Sequence, residues 1–274
     1  MTRVIGLHLR ITDSLIQTAQ LAHKKGLPIF QTFFMTDDGA VLKIPAQERV
    51  AFFKEWRELF ERVYLHCSYR INFSSCRSLE HPVFERELQL AKRCGITHFV
   101  LHPGSIEKGF TRQQALQALA QFLNGMCMRE KQLVFILENT VGKESTIGAQ
   151  FEDFIELHPL LLFPDRIGLC IDTAHAHISG YDLTTQNGYQ AFCETVQKVT
   201  QYIPLMLLHL NNTVQRSGSL CDQHALPEMG IIPQSILKQV INNDLFKHVP
   251  IIIEPSVNDS VDESFFAVEL VKNW

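Results

Sequence analysis

The sequence predicts an α/β protein, a single-domain (β/α)8 TIM barrel spanning residues 1–274, and three observations carry that prediction. Eight short apolar, β-favouring runs alternate with eight helical patterns, with no linker or low-complexity segment between them. Eight such units in about 250 residues is the size of a closed barrel. Six of the runs end in a histidine or an acid, and only a closed ring brings six strand ends to one centre. A doubly wound sheet would instead gather its ligand at the one crevice where strand order reverses.

Taken in order, the first strand falls at residues 4–9 and its helix at 13–24, stopped by Gly26. A second strand at 28–34 leads through the polar loop Thr36-Asp37-Asp38-Gly39 into a helix at 46–63, where apolar residues recur at three and four. A third, short strand occupies 63–66. The helix at 82–94 has Pro82 near its first position and Gly95 just past its end, the usual asymmetry of helix termini. Strand four, 98–101, runs into His102-Pro103-Gly104-Ser105, and a helix follows at 112–129. Strand five, 133–137, leads to Glu138 and a short helix at 150–158. Strand six is 167–171, with a helix at 189–201; strand seven, 205–208, precedes His209 and a helix at 233–242. Strand eight, 250–253, and the helix at 261–272 complete the alternation.

Hydrophobic content of 46% and charged content of 20% are those of a folded globular chain. A formal net charge of −4 excludes a global basic field for nucleic acid, although bound metal would alter the field locally. Seven cysteines without a CxxC pair point to reduced thiols in a cytosol-like compartment. The N-terminal apolar run is too short for a signal peptide, and no stretch approaches the roughly 18 apolar residues of a membrane span. A cytoplasmic, soluble protein with no membrane partner is expected.

The chemistry concentrates where the strands end. Ile167-Gly168-Leu169-Cys170-Ile171 closes on Asp172, and His175 follows three residues later. Other runs close on His66, His102, Glu138, His209 and Glu254, while Asp222 and His224 follow strand seven on the same face. Imidazole nitrogen and carboxylate oxygen are donors that zinc takes. Singly, most of these residues have a bland reading: with 12 histidines some reach strand ends by chance, and Asp222-x-His224 suits a solvated turn. Glu138 and Glu254 differ, because an ionised carboxylate closing an apolar run is costly unless paired or bound to a cation. His8, His98, His158, His177 and His248 read as structural or exposed.

The stretches that hold these residues are His66-x-x-Tyr69-x-Ile71-Asn72, Val100-Leu101-His102-Pro103-Gly104, Leu137-Glu138-Asn139-Thr140 and Gly168-x-Cys170-Ile171-Asp172-Thr173-x-His175. Further on come Gly180-Tyr181-Asp182, His209-Leu210-Asn211, Asp222-x-His224 and Ile253-Glu254-Pro255. Together they resemble the endonuclease IV type of apurinic/apyrimidinic endonuclease, a zinc-dependent (β/α)8 family, over most of the chain. The resemblance implies three zinc ions: one on His66, His102 and Glu138, a second on Glu138, Asp172, His209 and Glu254, and a third on His175, Asp222 and His224, where manganese is an alternative. It implies a hydroxide bridging the first two metals, Glu138 as the catalytic bridge, and a nick in DNA 5′ to an abasic site during base excision repair. Three Zn²⁺ against four carboxylates and a hydroxide leave a net charge of about +1 to meet an anionic phosphate. By the same resemblance the partner is DNA containing abasic sites, and Tyr69, at the family's lesion-side tyrosine, would stack on a displaced nucleotide or else pack half-buried; Arg70 and Asn72 beside it are read as further substrate contacts, and a monomer is expected.

The rim departs from the family. Met35-Thr36-Asp37-Asp38-Gly39 stands where the family has a polar, basic loop, with an aspartate at the place of its inserting arginine; negative charge near phosphates weakens binding. Arg70 replaces a leucine, Gly6-Leu7-His8-Leu9-Arg10 replaces Gly-Ala-His-Val-Ser, and Asn212-Thr213-Val214 replaces acidic and basic positions. Arg70, Arg77, Lys108, Lys143 and Arg216 are loop cations that suit phosphate contacts or plain solvation equally. The rival reading is a metal-dependent sugar isomerase or epimerase of the same barrel superfamily, with one divalent metal on Glu138, Asp172, His209 and Glu254. It has no need of His66 with His102, or of His175, Asp222 and His224. A barrel that only binds a partner is a third reading, but loss of catalysis should erode buried carboxylates first, and none is missing.

Overall fold

The computed structural model describes residues 3–36 and 39–274. Eight parallel strands close into one barrel in chain order: β1 (Ile5–His8), β2 (Ile29–Phe33), β3 (Arg62–His66), β4 (His98–Leu101), β5 (Val134–Glu138), β6 (Ile167–Asp172), β7 (Leu205–His209) and β8 (Ile251–Ile253). β1 pairs with both β2 and β8, so the ring leaves no open edge. The TIM barrel read from the sequence is the observed fold, each strand within a residue of its expected ends.

Nine α-helices are assigned among the described residues: α1 (Leu15–Lys24), α2 (Ala46–Ala51), α3 (Pro82–Arg93), α4 (Arg112–Arg129), α5 (Glu152–Leu157), α6 (Thr173–Ile178), α7 (Gln186–Val199), α8 (Gln234–Asn242) and α9 (Val261–Lys272). The helix expected at 46–63 is shorter: α2 passes into a π-helical turn over Phe52–Trp56 and a 3-10 turn over Arg57–Leu59. The Arg57 guanidinium donates to the carbonyls of Phe60 (3.1 Å) and Gly95 (3.1 Å), and Glu61 N donates to Pro28 O (2.9 Å), which turns the chain into β3. Gly95 and Pro28 are distant in sequence, so local periodicity runs past the true end. No helix among the described residues is long and apolar enough to cross a membrane.

The barrel interior is built in layers. Alternate residues of a strand face the same side. Ile29, Tyr64, Val100, Ile136, Cys170, Leu207 and Ile252 form one buried cluster inside the ring. Gly6 lies beside it, where an added Cβ would sit 2.3 Å from the Ile29 carbonyl oxygen and 2.9 Å from Ile252 Cδ1. Two residues further along each strand come His8, Gln31, His66, His102, Glu138, Asp172, His209 and Glu254. An apolar floor and a polar layer are therefore consecutive turns of one register, and the polar layer lies at the C-terminal mouth, where barrels of this kind carry their sites.

Candidate metal centre

A cavity of about 390 Å³ opens above that layer, lined by His8, Arg10, Phe33, His66, Tyr69, His102, Glu138, His175, Asp222, His224, Glu254 and Pro255. Glu138 is fully buried and divides its two oxygens. Its Oε2 lies 3.0 Å from His66 Nε2 and 3.4 Å from His102 Nε2. Its Oε1 lies 3.1 Å from His209 Nδ1 and 3.3 Å from His175 Nδ1. His209 Nδ1 is also 3.2 Å from Glu254 Oε2 and 3.9 Å from Asp172 Oδ2. On the outer side His175 Nε2 stands 3.0 Å from His224 Nε2 and 3.3 Å from Asp222 Oδ1.

All nine residues expected as ligands thus converge. Donor atoms lie within 4.8 Å of one another in four groups, three of them built from these residues alone: His66, His102 and Glu138; Glu138, Asp172, His209 and Glu254; and Asp172, His175 and His224; the fourth joins Cys170 to Glu138 and His209. The third group draws in Asp172, which the sequence reading gives to the second. Asp222 reaches the same two histidines from the exposed side, its Oδ1 3.5 Å from His224 Nε2.

Local structure explains how Asp172, His175 and Glu254 are held. Asp172 ends β6 and caps α6, accepting from His175 N at 2.7 Å, so one three-residue spacing serves the cap and brings His175 to the same mouth. Asn139 clamps Asp172 from the neighbouring strand end, accepting from its N at 2.6 Å and donating to its carbonyl at 3.1 Å. Asn211 Nδ2 donates to Asp172 Oδ2 (2.5 Å) and Glu254 Oε2 (3.0 Å).

The donor set fits divalent metal. The carbonyl of Cys67 accepts from His66 Nδ1 at 2.9 Å and that of Asn139 from His175 Nδ1 at 2.8 Å, which leaves the Nε2 lone pairs facing the cavity. The pocket also demands positive charge. Burial lowers imidazole pKa values, yet Glu138 and Glu254 lift His66 above its ordinary value. His175 is lifted far by Asp172, Asp222 and Glu138, against the same burial. Burial would raise Glu138 and Glu254, but His209 above all holds both well below the usual carboxylate range. Cys170 sits in the floor beside Glu138 and His209, and burial pushes its thiol up to about 12, so it is neutral.

Of the three expected substrate contacts, Tyr69 lines the cavity and is 58% exposed. Arg70 is exposed outside the cavity wall and packs against Gly39, where an added Cβ would fall 2.1 Å from Arg70 Nη1. Asn72 ties two loops together, its Nδ2 donating to Ser105 O (2.8 Å) and its Oδ1 accepting from Ser105 N (2.9 Å) and Ser74 N (3.2 Å). Asp37 and Asp38, the altered tip of the loop after β2, lie outside the described residues. His177 is buried and accepts from Leu183 N at 3.1 Å, as a structural histidine would. His8, read from the sequence as structural or exposed, lines the cavity and lies 3.2 Å from Glu254 Oε1. Sequence reasoning missed the parts played by His8, Gln31 and Asn211. The two-residue step up from the apolar floor is the signal that finds the first two.

Residues 19–267 match the family described as xylose isomerase-like TIM barrel. The chain belongs to that family. Within the xylose isomerase-like barrels it sits with the endonuclease IV members, as its motifs imply. The probable endonuclease 4 of Thermosipho melanesiensis is 28% identical over 275 residues, covering 95% of this chain and 94% of that protein. Endonuclease IV from Thermus thermophilus has a TM-score of 0.78 at 23% identity, covering 98% of this chain and 97% of that one. A D-tagatose 3-epimerase-like protein has a TM-score of 0.71 at 15% identity, covering 98% and 96% respectively. Nuclease and epimerase-like barrels share the fold, so the reaction must be argued from the side chains.

Proposed function

We propose that the chain is a zinc-dependent phosphodiester hydrolase, an apurinic/apyrimidinic endonuclease that nicks DNA 5′ to abasic sites in base excision repair, acting as a monomer in the cytoplasm. One observation carries the reading: Glu138 turns one oxygen to His66 and His102 and the other to His209, as a carboxylate shared between two cations would. His66, His102 and Glu138 would hold one zinc, and Glu138, Asp172, His209 and Glu254 a second. His175, Asp222 and His224 would hold a third ion, zinc or manganese. Zinc bound there would make a water molecule acidic enough to attack phosphorus near neutral pH and would offset phosphate charge.

The protein's own groups do the rest. Asn139 and Asn211 fix Asp172 and Glu254 in place, so the donors need no rearrangement when substrate arrives. Tyr69 offers an exposed ring at the cavity mouth on which a displaced sugar or base can stack. Arg10, exposed on the same wall, supplies a cation for a flanking phosphate.

The isomerase reading is favoured by one fact, that Glu138, Asp172, His209 and Glu254 form a group by themselves. It leaves His66, His102, His175, Asp222 and His224 without a task. The two readings part in one assay, in which duplexes with and without a single abasic analogue are incubated before and after chelation. Nicking only with the lesion and only with metal is expected; aldose–ketose conversion without nicking would move the assignment to the isomerase.

A further inference from the structure

The inner polar layer holds eight side chains, and the metal reading uses six of them. Gln31 is one of the two left over, fully buried in the middle of β2. Its amide can face only one way. Nε2 stands 2.6 Å from Glu254 Oε1, where an oxygen would oppose a carboxylate, so the nitrogen donates there. That turns Oε1 to His209 Nε2, 3.1 Å away across the barrel. With a cation on its other nitrogen an imidazole carries one ring proton, and an amide oxygen can only accept, so the proton sits on Nε2. The lone pair is left on Nδ1, the nitrogen that faces Glu138 Oε1 and Glu254 Oε2.

We infer that Gln31 is the positioning residue that fixes His209 as a metal donor through Nδ1 and holds Glu254 beside it, an inference that rests on the metal reading above. The same device recurs in the site, with a difference that makes this case testable. His66 and His175 each give their second ring nitrogen to a backbone carbonyl, which substitution cannot remove. His209 gives its own to a side chain. The choice of glutamine follows from the layer. Glutamate would set a second negative oxygen beside Glu254, and an apolar residue would leave His209 Nε2 without its acceptor and Glu254 Oε1 with His8 alone in a buried layer. Outer partners of this kind are worth about 10- to 100-fold in metal affinity.

The test uses Gln31→Met, close in volume but unable to accept from His209 or donate to Glu254. Zinc affinity is measured by chelator competition, and the His209 ring by long-range proton–nitrogen NMR of the zinc-loaded protein. Zinc binding about 10- to 100-fold weaker, an unchanged circular dichroism spectrum and loss of the single His209 Nε2–H signal are expected. Unchanged affinity with that signal intact overturns the inference. Should Gln31→Met fail to fold, Gln31→Glu carries the test: it keeps the acceptor and the Nε2–H signal but sets like charge against Glu254, so undiminished zinc affinity in that variant overturns the inference too. Nicking by the unaltered chain is scored separately. A parent that binds zinc but never nicks, with binding weakened in the variant, removes the proposed reaction and leaves Gln31 its role. A parent that nicks, with a variant that binds zinc normally, does the reverse, and a parent that binds no zinc overturns both.

Discussion

Glu138 is the residue on which the proposed chemistry turns, since among the described residues no other side chain joins both inner groups of donors. Replacing it by glutamine removes one acceptor oxygen and the negative charge while keeping the shape. Glu138→Gln should lower nicking at abasic sites at least about a hundredfold with the fold intact; a near-normal rate with undiminished zinc would contradict the assignment. A second buried acid behaves differently. Glu87 on α3 is fully buried, accepts from Ser68 N at 3.3 Å with one oxygen and has no partner for the other among the described residues, and burial pushes its carboxyl up to about 7 from 4.5. Because the folded value is raised, the folded state binds the proton more tightly. The stabilisation is full below pH 4.5 and is lost as pH rises through 7. Glu87→Gln should therefore change denaturant stability little near pH 4 and raise it by up to about 3 kcal/mol at about pH 8. An equal change at both pH values would refute that account of Glu87.

At the scale of elements, strand register does most of the work, because the two-residue period that fills the floor also sets the ligands above it. This is why the strands and six of the nine candidate ligands were legible in the sequence: an apolar run that closes on an acid or histidine reveals both the strand and its mouth, whereas His175, Asp222 and His224 lie beyond the strand ends and stood out only by following them on the same face. Gln31 and His8 escape a reading that takes each alone, as a polar residue near an apolar run, and not as the next inward place of its strand. The end of α2 escapes because Arg57 stops the helix through the Phe60 and Gly95 carbonyls, the latter far along the chain. α6 escapes because its six residues follow β6 directly and are all buried, so no exposed polar face sets off a helical period. The floor itself is testable at Gly6, where β1 passes too close to β2 and β8 for any side chain. Gly6→Ala should cost about 1–3 kcal/mol in denaturant unfolding, as overpacking of a filled core does; stability equal to that of the parent would show that β1 has room to move.

At the scale of the molecule, the closed ring turns donors spread from His66 to Glu254 into one mouth, and the charge they gather there demands cations. The rim is where the sequence says less, since its loops carry Tyr69 to the cavity but turn Arg70 to Gly39 and Asn72 to Ser105. Side-chain direction in a loop follows from tertiary contacts that no local spacing encodes. If ions bind the folded mouth and not the unfolded chain, chelation should lower the melting temperature and restored zinc should raise it again; a melting temperature indifferent to chelation would argue against a structural stake in metal. The most direct test is elemental analysis of the purified, zinc-equilibrated protein. Three zinc ions per chain, with fewer retained when Glu138 is replaced by alanine, is the expected result; a single ion, or none, would contradict a trinuclear centre at the barrel mouth.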